Sequence, residues 1–321
     1  MTELTVRAGI TAHKKEKVFY DRFFRKQGFF LAISIPFAIY IFIFNYFPLW
    51  GWIWSFFKFT PGVKLAKDNF VGMKYYQKLF SDDVFWLALR NTLIISFLQI
   101  IVGTIVAIGF AIILNEMRNG ILKRFTQTVS YLPHFVSWVV VAGIFISMTK
   151  TIGTPGVIYK ILFNLHIIPE SYNIMMNENL YDMIITTLYI WKETGWTSII
   201  YLAAIMGINQ ELYEAAYSDG AGRCRRIWHI TLPGIRTTIV VLLILSVGWV
   251  LQQGLEQRLL FGNVANFDYS EVLGTYIYRW GLQSRNYSLA MAANVFQSFV
   301  GFFLVLFANM TAKKLSDTAV F

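Results

Sequence analysis

Five long stretches of this chain contain no Asp, Glu, Lys or Arg: Phe29 to Trp50, Asn91 to Leu114, Phe125 to Thr149, Thr237 to Leu255 and Asn286 to Ala312. A bilayer core about 30 Å thick takes about 20 apolar residues to cross as a helix, because in lipid each backbone N–H and C=O must be satisfied internally. A sixth window, Met183 to Gly207, is equally long but carries Lys192 and Glu193 near its middle. The expected fold class is all-α, a polytopic membrane protein with six transmembrane helices. An even number of spans puts both termini on one side.

Composition agrees. Charged residues make up 14% of the 321 residues, where a soluble domain carries roughly 25%, and this excludes an ordinary soluble enzyme. The 29 Phe, 17 Tyr and 10 Trp exclude disorder, which goes with few aromatics. The single cysteine, Cys224, rules out a disulfide framework and any multi-Cys metal site. His13, His134, His166 and His229 lie far apart and form no short metal motif, so no metal site is expected.

Lys and Arg outside the spans set the orientation. The segments 1–28, 115–124, 208–236 and 313–321 carry seven, three, four and two, against six, two and three in 51–90, 150–182 and 256–285. The density is about twofold higher in the first set, which places it and both termini in the cytoplasm. The net charge of +10 then records topology and gives no reason to expect nucleic acid. Residues Lys14 to Gly28 read either as a short helix on the inner surface, with Phe19 over Phe23 and Tyr20 over Phe24, or as a flexible basic tail. The apolar stretch that follows is too long for a signal peptide and ends in Asn45-Tyr46-Phe47-Pro48, so it should stay as a membrane anchor. Val157 to Leu165 is too short to span and is expected as a small external helix. Gly103 and Gly109 are expected where helices pack closely.

The loop Gln210 to Ile235 reads as helix, turn, helix. Glu211 to Tyr217 are good helix formers, Asp219 and Gly220 supply a turn and an N-cap, and Pro233 cannot continue a helix interior. Ala215, Ala216, Gly220, Ala221 and Gly222 leave a face open to close approach. Arg223, Arg225 and Arg226 add positive charge beside it.

Glu214-Ala215-Ala216, three residues, Gly220, nine residues, Ile230, one residue, Leu232-Pro233 resembles the EAA loop of the membrane subunits of binding-protein-dependent ABC importers at each signature position. Phe44 to Gly51, Phe70 to Met73, Thr275 to Arg279 with Gly281, and Asn286 to Ser288 are similar to the polysaccharide-type permeases of that family. In the last span this chain has Ala293 or Asn294 where that subgroup usually has Gly.

The resemblance implies a six-helix permease domain over 29–312, with a coupling loop at 210–235, a basic segment 1–28 and a tail 313–321. It implies that Glu214, Ala215, Ala216, Gly220, Ile230, Leu232 and Pro233 engage a cytoplasmic ATPase. The implied partners are two ATPase subunits, a second homologous permease, an extracytoplasmic solute-binding protein, a saccharide substrate and the lipid bilayer of a bacterial cytoplasmic (inner) membrane. The chain itself has no Gly-Lys dipeptide and hence no P-loop, so ATP and Mg belong to the ATPases and no cofactor is expected here.

Polar groups inside the spans are candidates for the solute path. A charge at the bilayer centre costs roughly 2.5–3.5 kcal/mol on insertion scales, so Lys192 and Glu193 should face protein or water. Neighbours on a helix point about 100° apart, which argues against their pairing simply with each other. Each needs another partner, either on the path or at a structural contact. A polyhydroxylated solute requires hydrogen-bonding amides beside aromatic platforms. Trp191 and Trp196 flank the charged pair, and Trp249, Gln252, Gln253, Asn294 and Gln297 lie in the last two spans. His134, after Pro133, is expected to be satisfied within the bundle. The alternative to an importer subunit is a stand-alone secondary transporter or channel, which would need inverted repeats or its own coupling-ion site, and neither is visible. No nucleophile motif or convergent acid pair supports an enzyme.

Overall fold

The computed structural model describes residues 28–30, 32–117, 120–151, 153–170 and 172–316. The two readings of Lys14 to Gly28 lie outside the described residues except for Gly28, as do positions 317–321 of the tail. The chain divides into two units, one reaching to Trp54 and the other from Ser55 to Phe321.

A long helix, α1 (Gly28–Phe56), starts in the first unit, and none of its most apolar window is buried within the chain. Pro48 sits inside this helix. The backbone accommodates it by widening into a π-turn over Phe42–Tyr46 before tightening to 3-10 geometry at Phe47–Phe56. A proline ring collides with the carbonyl four residues earlier, and the extra residue in a π-turn moves that carbonyl aside.

The second unit runs through α2 (Lys74–Phe80), α3 (Asp83–Glu116), α4 (Ile121–Tyr131), α5 (Trp138–Thr149), α6 (Val157–Asn164), α7 (Glu178–Met206), α8 (Gln210–Ser218), α9 (Arg223–Gly234), α10 (Arg236–Gly248), α11 (Leu255–Phe261), α12 (Leu273–Tyr278) and α13 (Tyr287–Ser316). Helix is the dominant structure, and among the described residues the only β pairing is a bridge between Phe57 and Phe70. The short helix expected over Val157 to Leu165 is present as α6. Starts are capped by side chains: Asp82 accepts from Val84 N (3.0 Å), Asn177 from Leu180 N (3.2 Å) and Asn209 from Glu211 N (3.0 Å).

Helices α3 and α7 form the spine. Ala107, Ala111 and Leu114 pack on Tyr201, Leu202, Ile205 and Ile235, the alanines letting two backbones approach where dispersion rather than the hydrophobic effect holds helices together. The opposite stripe of α3, Leu93, Phe97, Ile101 and Ile105, repeats every fourth residue and is exposed, as a lipid-facing surface is. Around 256–285, Arg258 is fully buried, donating to Asp182 Oδ1 (2.8 Å) and Tyr269 O (2.7 Å) and lying 4.6 Å from the Tyr181 ring centroid.

Three expectations need correction. The window Phe125 to Thr149 is not one straight helix: α4 and α5 meet at 95° across a 3-10 turn, Leu132–Phe135, that contains Pro133. The window Thr237 to Leu255 also breaks, since α10 stops at Gly248 and Gly254 adopts φ +82. Pro233 lies inside α9 after all, again behind a π-turn, Ile227–Thr231. The next bend, 57°, comes between α9 and α10. Among the described residues, α1, α3 and α13 are by length and composition single-helix candidates for membrane spans, and the two bent pairs α4/α5 and α9/α10 raise the number to five. The 29-residue α7 carries the two charges. Gly103 makes ordinary contact with the Tyr189 ring, 3.5 Å from where a Cβ would stand, and Gly109 meets nothing within 4 Å. The tight approach is instead at Gly195, where a Cβ would stand 1.9 Å from Ser130 O.

Candidate functional site

The break between α4 and α5 frees backbone carbonyls in an apolar setting, where an unsatisfied carbonyl is costly. Lys192 Nζ, on a residue only 5% exposed, donates to His134 O at 2.5 Å. It also pairs with Glu193 Oε1 at 3.2 Å, and His134 Nδ1–H donates to Glu193 Oε2 at 2.7 Å. The acceptor is a carboxylate, so the proton belongs on the ring nitrogen. The His134 ring stacks on Trp196, with centroids 4.5 Å apart and planes 3° from parallel. Lys192 and Glu193 therefore do pair, contrary to the argument from their angular separation. Both long side chains bend toward one residue on the facing segment, and His134 is the second partner of each. His134 is satisfied within the bundle, as expected.

Between α3, α7 and α10 lies a cavity of about 180 Å³ lined by Gln99, Thr104, Tyr189, Glu193, Trp196 and Gln253, among others. Gln99 is almost wholly buried, and its Nε2 donates to Gln257 Oε1 at 2.8 Å. Gln99 Oε1 and Thr194 Oγ1, both on lining residues, are buried without a hydrogen-bond partner. Buried polar groups are ordinarily paired, so these two are exceptions, both on residues that line the cavity.

The nine path candidates separate into groups. Glu193, Trp196 and Gln253 line this cavity. Lys192 lines a neighbouring one of about 390 Å³ at the break, with His134, Trp138 and Glu256. Gln252 and Gln297 face a groove between α10 and α13, and Gln297 Nε2 donates to Leu251 O, a carbonyl freed where α10 ends. Ser96 Oγ does the same for Val250 O at 2.5 Å. Trp191, Trp249 and Asn294 line none of these three, and both tryptophans are exposed. Sequence reasoning missed Gln99, Thr104, Tyr189 and Ser246. Gln99, a lone amide in an uncharged window, was the available signal.

In the loop 210–235, Glu214 and Ala215 on α8 are exposed and Ala216 is half-buried. Gly220 turns the chain with φ +75, a conformation glycine adopts without a Cβ clash. Ala221 N closes the helix end onto Ala216 O at 2.9 Å. The N-cap of α9 is Gly222, without a side-chain bond, so Asp219 does not cap it. Tyr213 Oη and Thr231 Oγ1 (2.9 Å) tie α8 to α9. Ile230 and Leu232 are half-buried, and Pro233 is exposed.

Near α12, burial pushes the Glu271 carboxyl above its ordinary value, although Arg279 at 2.5 Å pulls it down. Among the described residues no group of three or more His, Cys, Asp and Glu could hold a metal ion.

Long apolar helices, two crossings broken beside a polar cavity and an exposed helix–turn–helix loop define a membrane-embedded transport component. Residues 99–316 match the family described as "Binding-protein-dependent transport system inner membrane component", and the chain belongs to that family. It is 38% identical to the polygalacturonan/rhamnogalacturonan transport system permease protein YteP of Bacillus subtilis (strain 168), over 92% of this chain and 91% of that one. Over 95% of this chain and 93% of the other it is 27% identical to the arabinooligosaccharides transport system permease protein AraP of the same organism. Among solved structures it is similar to a chain of a bacterial ABC transporter involved in the import of the acidic polysaccharide alginate, at TM-score 0.83 and 34% identity, covering 94% of this chain and 99% of that one. The chain is thus a permease of a carbohydrate ABC importer, a transport component and not itself a catalyst.

Proposed function

We propose that this chain forms half of the transmembrane path for an oligosaccharide or polysaccharide fragment, with the cavity between α3, α7 and α10 as the place where one sugar unit is held. The observation that carries this reading is the cavity itself, lined by Glu193, Gln253, Gln99 and Thr194 together with Trp196. Hydroxyls need such acceptors and amides, and a sugar's C–H face needs an aromatic platform. Six spans, both termini in the cytoplasm, supply the frame. A second, related permease completes the path, and an extracytoplasmic binding protein delivers the solute. A solved relative, the alginate transporter in complex with an alginate pentasaccharide-bound periplasmic protein, supports that last partner.

ATP and Mg sit on two separate ATPase subunits, whose closure reaches the spans through the loop 210–235. Glu214 bonds the ATPase, Ala215 and Ala216 seat against it, Gly220 permits the turn, and Ile230, Leu232 and Pro233 connect the loop to α10.

Two substitutions in the reconstituted importer test this. Trp196→Ala should raise the KM of uptake about tenfold, the equivalent of roughly 1.4 kcal/mol, with maximal ATP hydrolysis kept; an unchanged KM removes the cavity from the path. Glu214→Lys should abolish uptake and substrate-stimulated ATP hydrolysis while membrane insertion is unaffected. Intact coupling in that variant would remove the loop from the mechanism.

A further inference from the structure

We infer that His134 is a positioning residue for sugar binding: from behind the cavity it sets the pose of both Glu193 and Trp196. The inference rests on the cavity between α3, α7 and α10 being the sugar site. His134 does not line that cavity but faces the neighbouring one at the break. It nevertheless touches two of the first cavity's walls, and by different parts of one ring. Nδ1–H holds the Glu193 carboxylate at 2.7 Å, and the ring face lies against Trp196 at 4.5 Å.

The backbone beneath the ring is held as well. Its carbonyl takes the Lys192 ammonium at 2.5 Å, and α4 meets α7 at the Gly195–Ser130 approach only a few residues away. The ring is thus restrained through its Nδ1–H bond and its backbone, and the indole stacked on it is restrained in turn. With one face of Trp196 covered by imidazole, a sugar can stack only on the other. Glu193 gives one lone pair of Oε2 to His134 and one of Oε1 to Lys192, leaving the second lone pair on each oxygen for a hydroxyl. His134 thus decides which face of Trp196 and which lone pairs of Glu193 a sugar meets. Because it sits at the α4/α5 bend, a change in that bend is delivered to both contacts at once.

The test uses the complete reconstituted importer and two readouts. The first needs no substrate. In protein carrying 5-fluorotryptophan, with the Trp196 signal identified by Trp196→Phe, the variant His134→Ala should shift that resonance, and His134→Phe, which keeps a ring in place, should shift it less. An unmoved Trp196 signal overturns the inference.

The second readout is uptake of labelled oligosaccharides cut from polygalacturonan, rhamnogalacturonan and alginate. His134→Ala should raise KM about tenfold, with maximal substrate-stimulated ATP hydrolysis within about twofold. His134→Phe keeps the stack, His134→Gln keeps a donor to Glu193, and each should recover part of the loss. In the double variant with Trp196→Ala the two effects should fall short of additive, as they do for residues that act through one another. A raised KM for Trp196→Ala beside an unchanged KM for His134→Ala overturns the inference and leaves the site standing. If neither variant changes KM, the site itself is withdrawn. A fall in maximal rate alone, at unchanged KM, marks a purely structural role and also overturns it. Should His134→Ala fail to assemble, the Phe and Gln variants carry both readouts.

Discussion

Adding one methyl group at Gly195 should cost more than removing most side chains in the bundle. A Cβ at this position stands 1.9 Å from Ser130 O and 2.4 Å from Ser130 C. Both are backbone atoms of α4, so no side chain can swing aside. Cβ atoms essentially never come within 3.0 Å of another heavy atom, and α4 must therefore move from α7 by at least about 1.1 Å. The same displacement takes the His134–Glu193 bond from 2.7 Å to about 3.8 Å, beyond hydrogen-bonding range. Overpacking costs about 1–3 kcal/mol and a lost bond to a charged group about 1.5–3 kcal/mol, together about 2.5–6 kcal/mol. Gly109→Ala is the control: no heavy atom lies within 4 Å of its Cβ, and alanine in place of a helical glycine should gain about 0.5–1 kcal/mol. Detergent-titration unfolding in mixed micelles, followed by tryptophan fluorescence, gives the midpoints. Gly195→Ala should fall well below wild type and Gly109→Ala should equal or exceed it. Equal midpoints for the two variants would refute the close approach of α4 and α7.

Gly220→Ala places a Cβ on a backbone with φ +75, costing about 1–2 kcal/mol; uptake should drop while the amount of protein in the membrane does not, and unchanged uptake would show that the turn tolerates the strain. Glu271 has its pKa raised in the folded chain by burial, so its contribution to stability is complete below the ordinary carboxylate range and is lost as pH rises through the raised value. Glu271→Gln should flatten the dependence of the unfolding midpoint on pH over that interval, and an unaltered slope would assign it to another group.

The spans were legible because lipid tolerates few charges, and uninterrupted apolar windows are plain in a sequence. The bends were not. Pro133 and Pro233 look alike in the chain, yet one lies within the turn of a 95° break and the other in the last turn of a helix, behind a π-turn and just ahead of a 57° bend. What permits the first break is a donor 58 residues away, Lys192, that satisfies the freed His134 carbonyl. No local pattern announces such a partner. For the same reason the bond from Gln297, a path candidate, to Leu251 O was not legible, since an amide in a span serves a backbone or a solute equally well. The two faces of α3 are both apolar, so which one meets lipid depends on α7 and could not be read from periodicity. Of the charged pair, sequence argument found the position and the need for outside partners but missed their mutual contact.

The π-turn at Ile227–Thr231 acts as an angular setting. A helix advances about 100° per residue, so one residue more or fewer in that turn rotates everything beyond it by more than a quarter of a revolution relative to the loop before it. In α10 such a rotation would turn buried Ile244 out of the core and bring exposed Leu245 toward it. The relative heading of loop and helix is thus counted in whole residues, and a single deletion between Ile227 and Thr231 would place the two out of phase without altering any side chain in either.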